Sequence, residues 1–175
     1  MRAITVEGME GRLPFRESVE RRLALAKPTL SEIEAFGRDA IELLTPGIVE
    51  MIRGLAADVW VVSGALRETL LPVAAHLGVP DERVLGTTAR WSGDELAELV
   101  DCREKAGLLA GRTGDWARPR VMVGDGMSDV AVHTNGLVDH FIAFTGHVRR
   151  GPVVATGAPE ARDVAELEYL LRQLL

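Results

Sequence analysis

Three short, uninterrupted apolar runs constrain this chain more than anything else in it. They are Val59-Trp60-Val61-Val62 after Asp58, Val121-Met122-Val123 after Arg120, and Phe141-Ile142-Ala143-Phe144 after His140. A strand-length run that is apolar at every position reads as a strand buried on both faces. The first two runs stop at Ser63-Gly64 and at Gly124-Asp125-Gly126. Helical spacing fills the intervals. Phe15, Val19, Leu23 and Ala26 recur along one face, after Pro14 and before Pro28. A second helix opens at Thr29 or Ser31 and runs to about Phe36, giving a compact N-terminal helical unit. Further helices are expected from Thr45-Pro46-Gly47 onward, over 66–77 with Gly78 closing it, and over 160–175. Arg83-Val84-Leu85 and Val153-Val154-Ala155 read as two more short strands. Residues 87–101 read two ways: a hairpin turned by Ser92-Gly93-Asp94, or part of one long helix over 94–110.

Strands alternating with helices specify a parallel sheet covered on both faces, a doubly wound, Rossmann-like α/β fold. The length of 175 residues suits one such domain, and 47% apolar residues suffice for its core. A net charge of -6 argues against a general binder of nucleic-acid backbones. The single cysteine, Cys102, excludes an internal disulfide framework and fits a reducing cytoplasm. No apolar run is long enough to span a bilayer, and no secretory leader follows Met1.

Ligands in open α/β sheets bind beyond the carboxyl ends of the strands. Ser63-Gly64 offers a hydroxyl and backbone N–H groups there, an anion site or an ordinary helix cap. Asp125 and Asp129, on the glycine-rich turn 124–129, are hard oxygen donors of the kind that suit Mg²⁺, or else a turn residue and a cap. Lys105 is suited to neutralising a phosphoryl group, or is a solvated surface residue.

Taken in order, Val-Val-Ser63-Gly64, Lys105 and Gly-Asp125-Gly-Met-Ser128-Asp129 resemble the haloacid dehalogenase-like (HAD) superfamily. Met9-Glu10-Gly11-Arg12-Leu13-Pro14-Phe15, with Arg22 beyond it, resembles the helical cap of the phosphoserine phosphatase branch, and Leu44-Thr45-Pro46-Gly47 continues the likeness. The resemblance implies a cap over 1–44 and a core over 45–175. It implies Mg²⁺-dependent hydrolysis of a small phosphomonoester such as phosphoserine. Ser63 and the backbone of Gly64 would bind phosphoryl oxygens. Lys105 would stabilise the transferring group, Asp125 would ligate Mg²⁺, and Asp129 would support the metal site. Ser128 would touch the phosphate or the metal shell, while Met9, Phe15 and Arg22 would line the substrate, with Arg22 on its carboxylate.

The family's first motif, Asp-x-Asp-Gly-Thr or its serine form, supplies the nucleophile from a central strand. This chain contains no Asp-x-Asp. The expectation is therefore a hydrolase that is incomplete or inactive as written. Its missing strand would come from an upstream segment, from a dimer or partner, or from residues 3–6 as a substitute. The alternative is a non-catalytic protein that binds phosphate or a metabolite, or a partner-binding subunit.

Overall fold

The computed structural model describes Ile4, Glu7 and residues 13–175. Met9 and, apart from Ile4, the substitute strand over 3–6 lie outside the described residues. In chain order the elements are α1 (Phe15–Ala26), α2 (Leu30–Asp39), α3 (Ile48–Gly54), β1 (Val61–Leu66), α4 (Arg67–Leu77), β2 (Val84–Ser92) and β3 (Glu95–Asp101). Then follow α5 (Lys105–Leu109), β4 (Val121–Gly124), α6 (Met127–Thr134), β5 (His140–Phe144), α7 (Gly151–Val154), β6 (Glu160–Ala161) and α8 (Val164–Leu174). The chain divides into two compact units, Met1–Leu44 with Val59–Glu104, and Thr45–Asp58 with Lys105–Leu175. No helix among the described residues is long and apolar enough to cross a membrane.

In the first unit, α1 starts after Pro14, which gives up no useful N–H at a helix start. It ends at Lys27, whose left-handed φ of 45° turns its N–H back to Leu23 O. Thr29, rather than Ser31, caps α2: Glu32 N–H donates to Thr29 Oγ1 at 3.2 Å, and Thr29 N–H to Glu32 Oε2 at 2.9 Å. This reciprocal box carries the helix past Phe36 to Asp39. A Cβ on Gly37 would stand 2.6 Å from Thr69 O, so glycine here lets α2 approach α4 closely.

The sheet of this unit has the order β1-β2-β3. β1 and β2 are parallel, with Val61 opposite Val84 and Val62 opposite Leu85; the ladder then breaks and resumes at Leu66 opposite Thr87. Two strand expectations need correcting. β1 does not stop at Ser63 but carries Ser63-Gly64 within it as far as Leu66, and β2 extends from Val84 to Ser92. The hairpin reading of 87–101 holds and the long helix does not. Gly93, at φ 61°, makes the turn, and Arg90 pairs across the strands with Glu98.

The second unit holds an all-parallel sheet, β4-β5-β6. Its core is Met51, Ile142, Ala161, Leu167 and Leu171, with Ile48, Ile52, Val121, Val123 and Phe144 packed against it. The expected strand at 153–155 is absent: Gly151-Pro152 starts a helical turn, α7, and Val153 is buried from it. Three apolar residues fit a helical turn as well as a strand, and a proline in the first turn favours the helix. The third strand is instead the two-residue β6, and α8 begins only after Asp163, whose Oδ1 accepts from Glu166 N–H at 2.8 Å. Among the described strands, β1, β3, β4 and β6 are each paired along one edge only.

Candidate functional site

In the first unit, Ser63 and Gly64 sit where the β1–β2 ladder is interrupted. Leu66 is the residue that precedes α4, so Ser63 is not a helix cap; its Oγ accepts from Ala65 N–H at 3.2 Å. A Cβ on Gly64 would lie 2.7 Å from Phe15 Cζ and 2.8 Å from Cε2. The first residue of α1 therefore rests its ring against the strand, and only glycine leaves room for it. From the other side, the fully buried Thr87 donates its hydroxyl to Gly64 O at 3.0 Å. Thr87 also reaches the buried Cys102, whose thiol pKa is pushed up by burial. Arg22 is half-buried on α1, with Nε donating to Ser18 O at 3.2 Å.

The second unit places charge at the exit of β4. Asp129 is 1% exposed, and both its oxygens are engaged: Lys105 Nζ donates to Oδ1 and Gly126 N–H to Oδ2 at 3.1 Å. A Cβ on Gly124 would overlap the Asp129 carboxylate. That glycine thus lets a buried carboxylate fold back onto the strand end and hold Lys105, the first residue of α5, beside it. Asp125 is different. Its side chain is 48% exposed, and Arg150 Nε donates to its Oδ2 at 3.0 Å. It borders a cavity of about 390 Å³ lined also by Thr45, Ile48, Val123, Phe144 and His147. His147 Nε2 lies 2.8 Å from Thr45 Oγ1. Ser128 is exposed in the first turn of α6.

Of the residues singled out from sequence, Phe15 meets Gly64, and Lys105 meets Asp129. Three residues were not singled out as site residues: Thr45 and His147, which line the cavity, and Arg150, which pairs with Asp125. The last two follow the carboxyl end of β5, where loops of an α/β sheet line its ligand site, and that position was the signal available.

Among the described residues, no group of three or more His, Cys, Asp or Glu side chains stands ready to hold a metal ion. One open carboxylate, Asp125, does fit Mg²⁺, which commonly takes one or two carboxylates and fills its octahedron with waters and substrate phosphate oxygens. Asp129, with both oxygens occupied, fits a supporting role behind it.

Comparison with known proteins adds an independent line. A family model of haloacid dehalogenase-like hydrolases matches residues 3–133. The chain is 33% identical over 164 residues to the chloroplastic phosphoserine phosphatase of Arabidopsis thaliana, an alignment covering 86% of this chain and 55% of the relative. It therefore spans little more than half the length of that protein. It is 27% identical over 175 residues to the phosphoserine phosphatase of Mus musculus, covering 94% of this chain and 77% of the relative. Its fold superposes on the crystal structure of a phosphoserine phosphohydrolase-like protein from Francisella tularensis with a TM-score of 0.88. That match has 32% identity and covers 97% of this chain and 82% of the other.

Proposed function

From a chain that belongs to the haloacid dehalogenase-like hydrolase family, we propose the active-site scaffold of a Mg²⁺-dependent phosphomonoester hydrolase acting on phosphoserine or a close analogue. The arrangement at the exit of β4 carries this reading: an open carboxylate, Asp125, beside a cavity, with a buried Asp129–Lys105 pair behind it. Mg²⁺, held by Asp125 with Asp129 in support, would supply positive charge to phosphoryl oxygens. Lys105 holds a further positive charge at the same strand end and would stabilise the transferring phosphoryl group. Ser63 and the Gly64 backbone would donate to phosphoryl oxygens, with Phe15 fixing Gly64 from the cap side. Ser128 and Arg22 would contact the phosphate and the substrate carboxylate. The cap over 1–44 and a place in serine biosynthesis belong to the same proposal, as does the cytoplasm, which a single buried Cys102 suits.

The nucleophile is the part the chain does not show, having no Asp-x-Asp. We assign it to a strand that pairs with a sheet edge and comes from an upstream segment or a partner. The test is phosphate release from phosphoserine and from an aryl phosphate, with Mg²⁺, in the presence and absence of an Asp-x-Asp-Gly-Thr strand supplied fused or in trans. Turnover that requires the strand and is lost in Asp125→Asn and Ser63→Ala is expected. Turnover without the strand, lost in both variants, would place the nucleophile within these residues. Saturable phosphate binding with no turnover under either condition would favour the non-catalytic reading.

A further inference from the structure

Arg150 is held in place by more than its partner. The loop that carries it leaves β5 with Thr145 N–H donating to Ala161 O at 2.7 Å, and His147 is tied to Thr45. Arg149 makes a two-pronged pair with Glu160, Nε to Oε2 at 2.9 Å and Nη2 to Oε1 at 3.0 Å. Arg150 O then accepts from the N–H groups of Val153 and Val154, both at 3.1 Å, so its backbone is fixed at the start of α7. Its guanidinium reaches Asp125 from this anchored loop, with a side chain only 35% exposed.

The charges at the exit of β4 consequently balance. Asp129 has Lys105, and Asp125 has Arg150. A divalent cation approaching Asp125 therefore meets two carboxylates that each already have a cationic partner. It meets a carboxylate oxygen already given to a guanidinium, and sharing that carboxylate would leave a dication and a unit positive charge a few ångströms apart. With both groups in contact with water and screened by salt at physiological ionic strength, that repulsion corresponds to roughly a three- to tenfold change in a binding constant. A guanidinium moved off a carboxylate beside a cavity is well shaped for phosphoryl oxygens, which accept the same paired N–H donors.

We propose that Arg150 is the resident counter-ion of Asp125: a divalent cation must displace it, and a phosphate-bearing ligand, by taking the displaced guanidinium, makes the exchange favourable. Cation and phosphate binding are then coupled through one arginine, and by linkage each tightens the other by the same factor. The proposal rests on the reading of Asp125 as a cation ligand.

The test is titration calorimetry of Mg²⁺ into the whole chain, alone and with saturating inorganic phosphate, with folding of each variant checked by circular dichroism. The wild type should bind Mg²⁺ more tightly when phosphate is present. Arg150→Gln should bind Mg²⁺ alone about three- to tenfold more tightly than wild type and lose most of the phosphate effect. Arg150→Lys, which keeps the charge, should stay near wild type. Arg149→Gln, which changes net charge equally but is tied to Glu160, should not reproduce the tightening. Asp125→Asn should abolish binding. Mg²⁺ binding that needs Asp125 but is unchanged or weaker in Arg150→Gln would overturn the counter-ion role and leave the cation site standing. Equal tightening in Arg149→Gln would reduce the effect to overall charge and also overturn it. Absence of Asp125-dependent Mg²⁺ binding in every variant would overturn both readings.

Discussion

Ser63-Gly64, within β1, and Gly124-Asp125, at the exit of β4, solve a similar problem by different means. At Ser63-Gly64 the backbone is shaped by packing: the Phe15 ring presses on Gly64 and Thr87 holds its carbonyl, with no charged side chain in either contact. At Gly124-Asp125 the backbone is shaped by charge: Asp129 folds onto Gly124, pairs with Lys105 and accepts from Gly126. Both segments need a glycine, for different reasons. Gly64 makes room for the far end of one half-buried ring, whereas Gly124 makes room for a carboxylate that is 1% exposed and fully engaged. A segment built on packing should tolerate change gradually, and one built on a buried ion pair should fail sharply.

The largest effect is expected from Asp129→Ala. It leaves Lys105 without its carboxylate and frees the Gly126 N–H, and should cost about 3–5 kcal/mol in urea unfolding. A loss below about 1 kcal/mol would put this turn on the same footing as the other. Gly124→Ala comes next, at about 1–3 kcal/mol, because its new methyl overlaps Asp129. In a double-mutant cycle with Asp129→Ala the two losses should be less than additive, since the second removes the group the first strikes. Gly64→Ala should cost about 1 kcal/mol and be relieved by Phe15→Leu, because the obstructing atoms are the far end of one ring. A larger cost that Phe15→Leu does not relieve would show that backbone, not ring, sets the conformation at Gly64.

The smallest effect concerns a carboxylate at the hairpin tip of the first unit. Ser31 donates to Asp94 Oδ1 from its N–H at 2.8 Å and from its hydroxyl at 2.9 Å, which holds the Asp94 pKa below its ordinary 3.8. A carboxylate with a lowered folded pKa stabilises above its unfolded value and loses that contribution as pH falls through the folded one. Thermal unfolding of Asp94→Asn followed from neutral pH downward should show a flatter acid limb than wild type below about pH 4. Identical acid limbs would remove this contact from the account.

Much of the second unit's charged turn was legible in the sequence because its residues are close along the chain. Gly124, Asp125, Gly126 and Asp129 announce an apolar strand, a turn and donors together. The caps were legible for the same reason, although the choice between Thr29 and Ser31 needed the reciprocal bonds with Glu32. What escaped depends on distant partners. Ser63-Gly64 stays inside β1 because the ladder to β2 resumes at Leu66, a pairing no local pattern encodes. Val153-Val154-Ala155 is too short for periodicity to separate strand from helical turn. Arg150 lies 25 residues from Asp125, and only the fold carries its loop to that carboxylate at another strand's exit.

The second unit also sets an order of events during synthesis. Its α3 is made early, yet Met51 packs with Ile142, Ala161, Leu167 and Leu171, which leave the ribosome much later. At about 5–20 residues per second, the apolar side of that helix waits roughly several seconds to tens of seconds for its cover. The chain of the first unit, through Glu104, has emerged in the meantime. A nascent chain stalled before α8 therefore presents a helix with a greasy, uncovered stripe, the kind of surface to which chaperones attach.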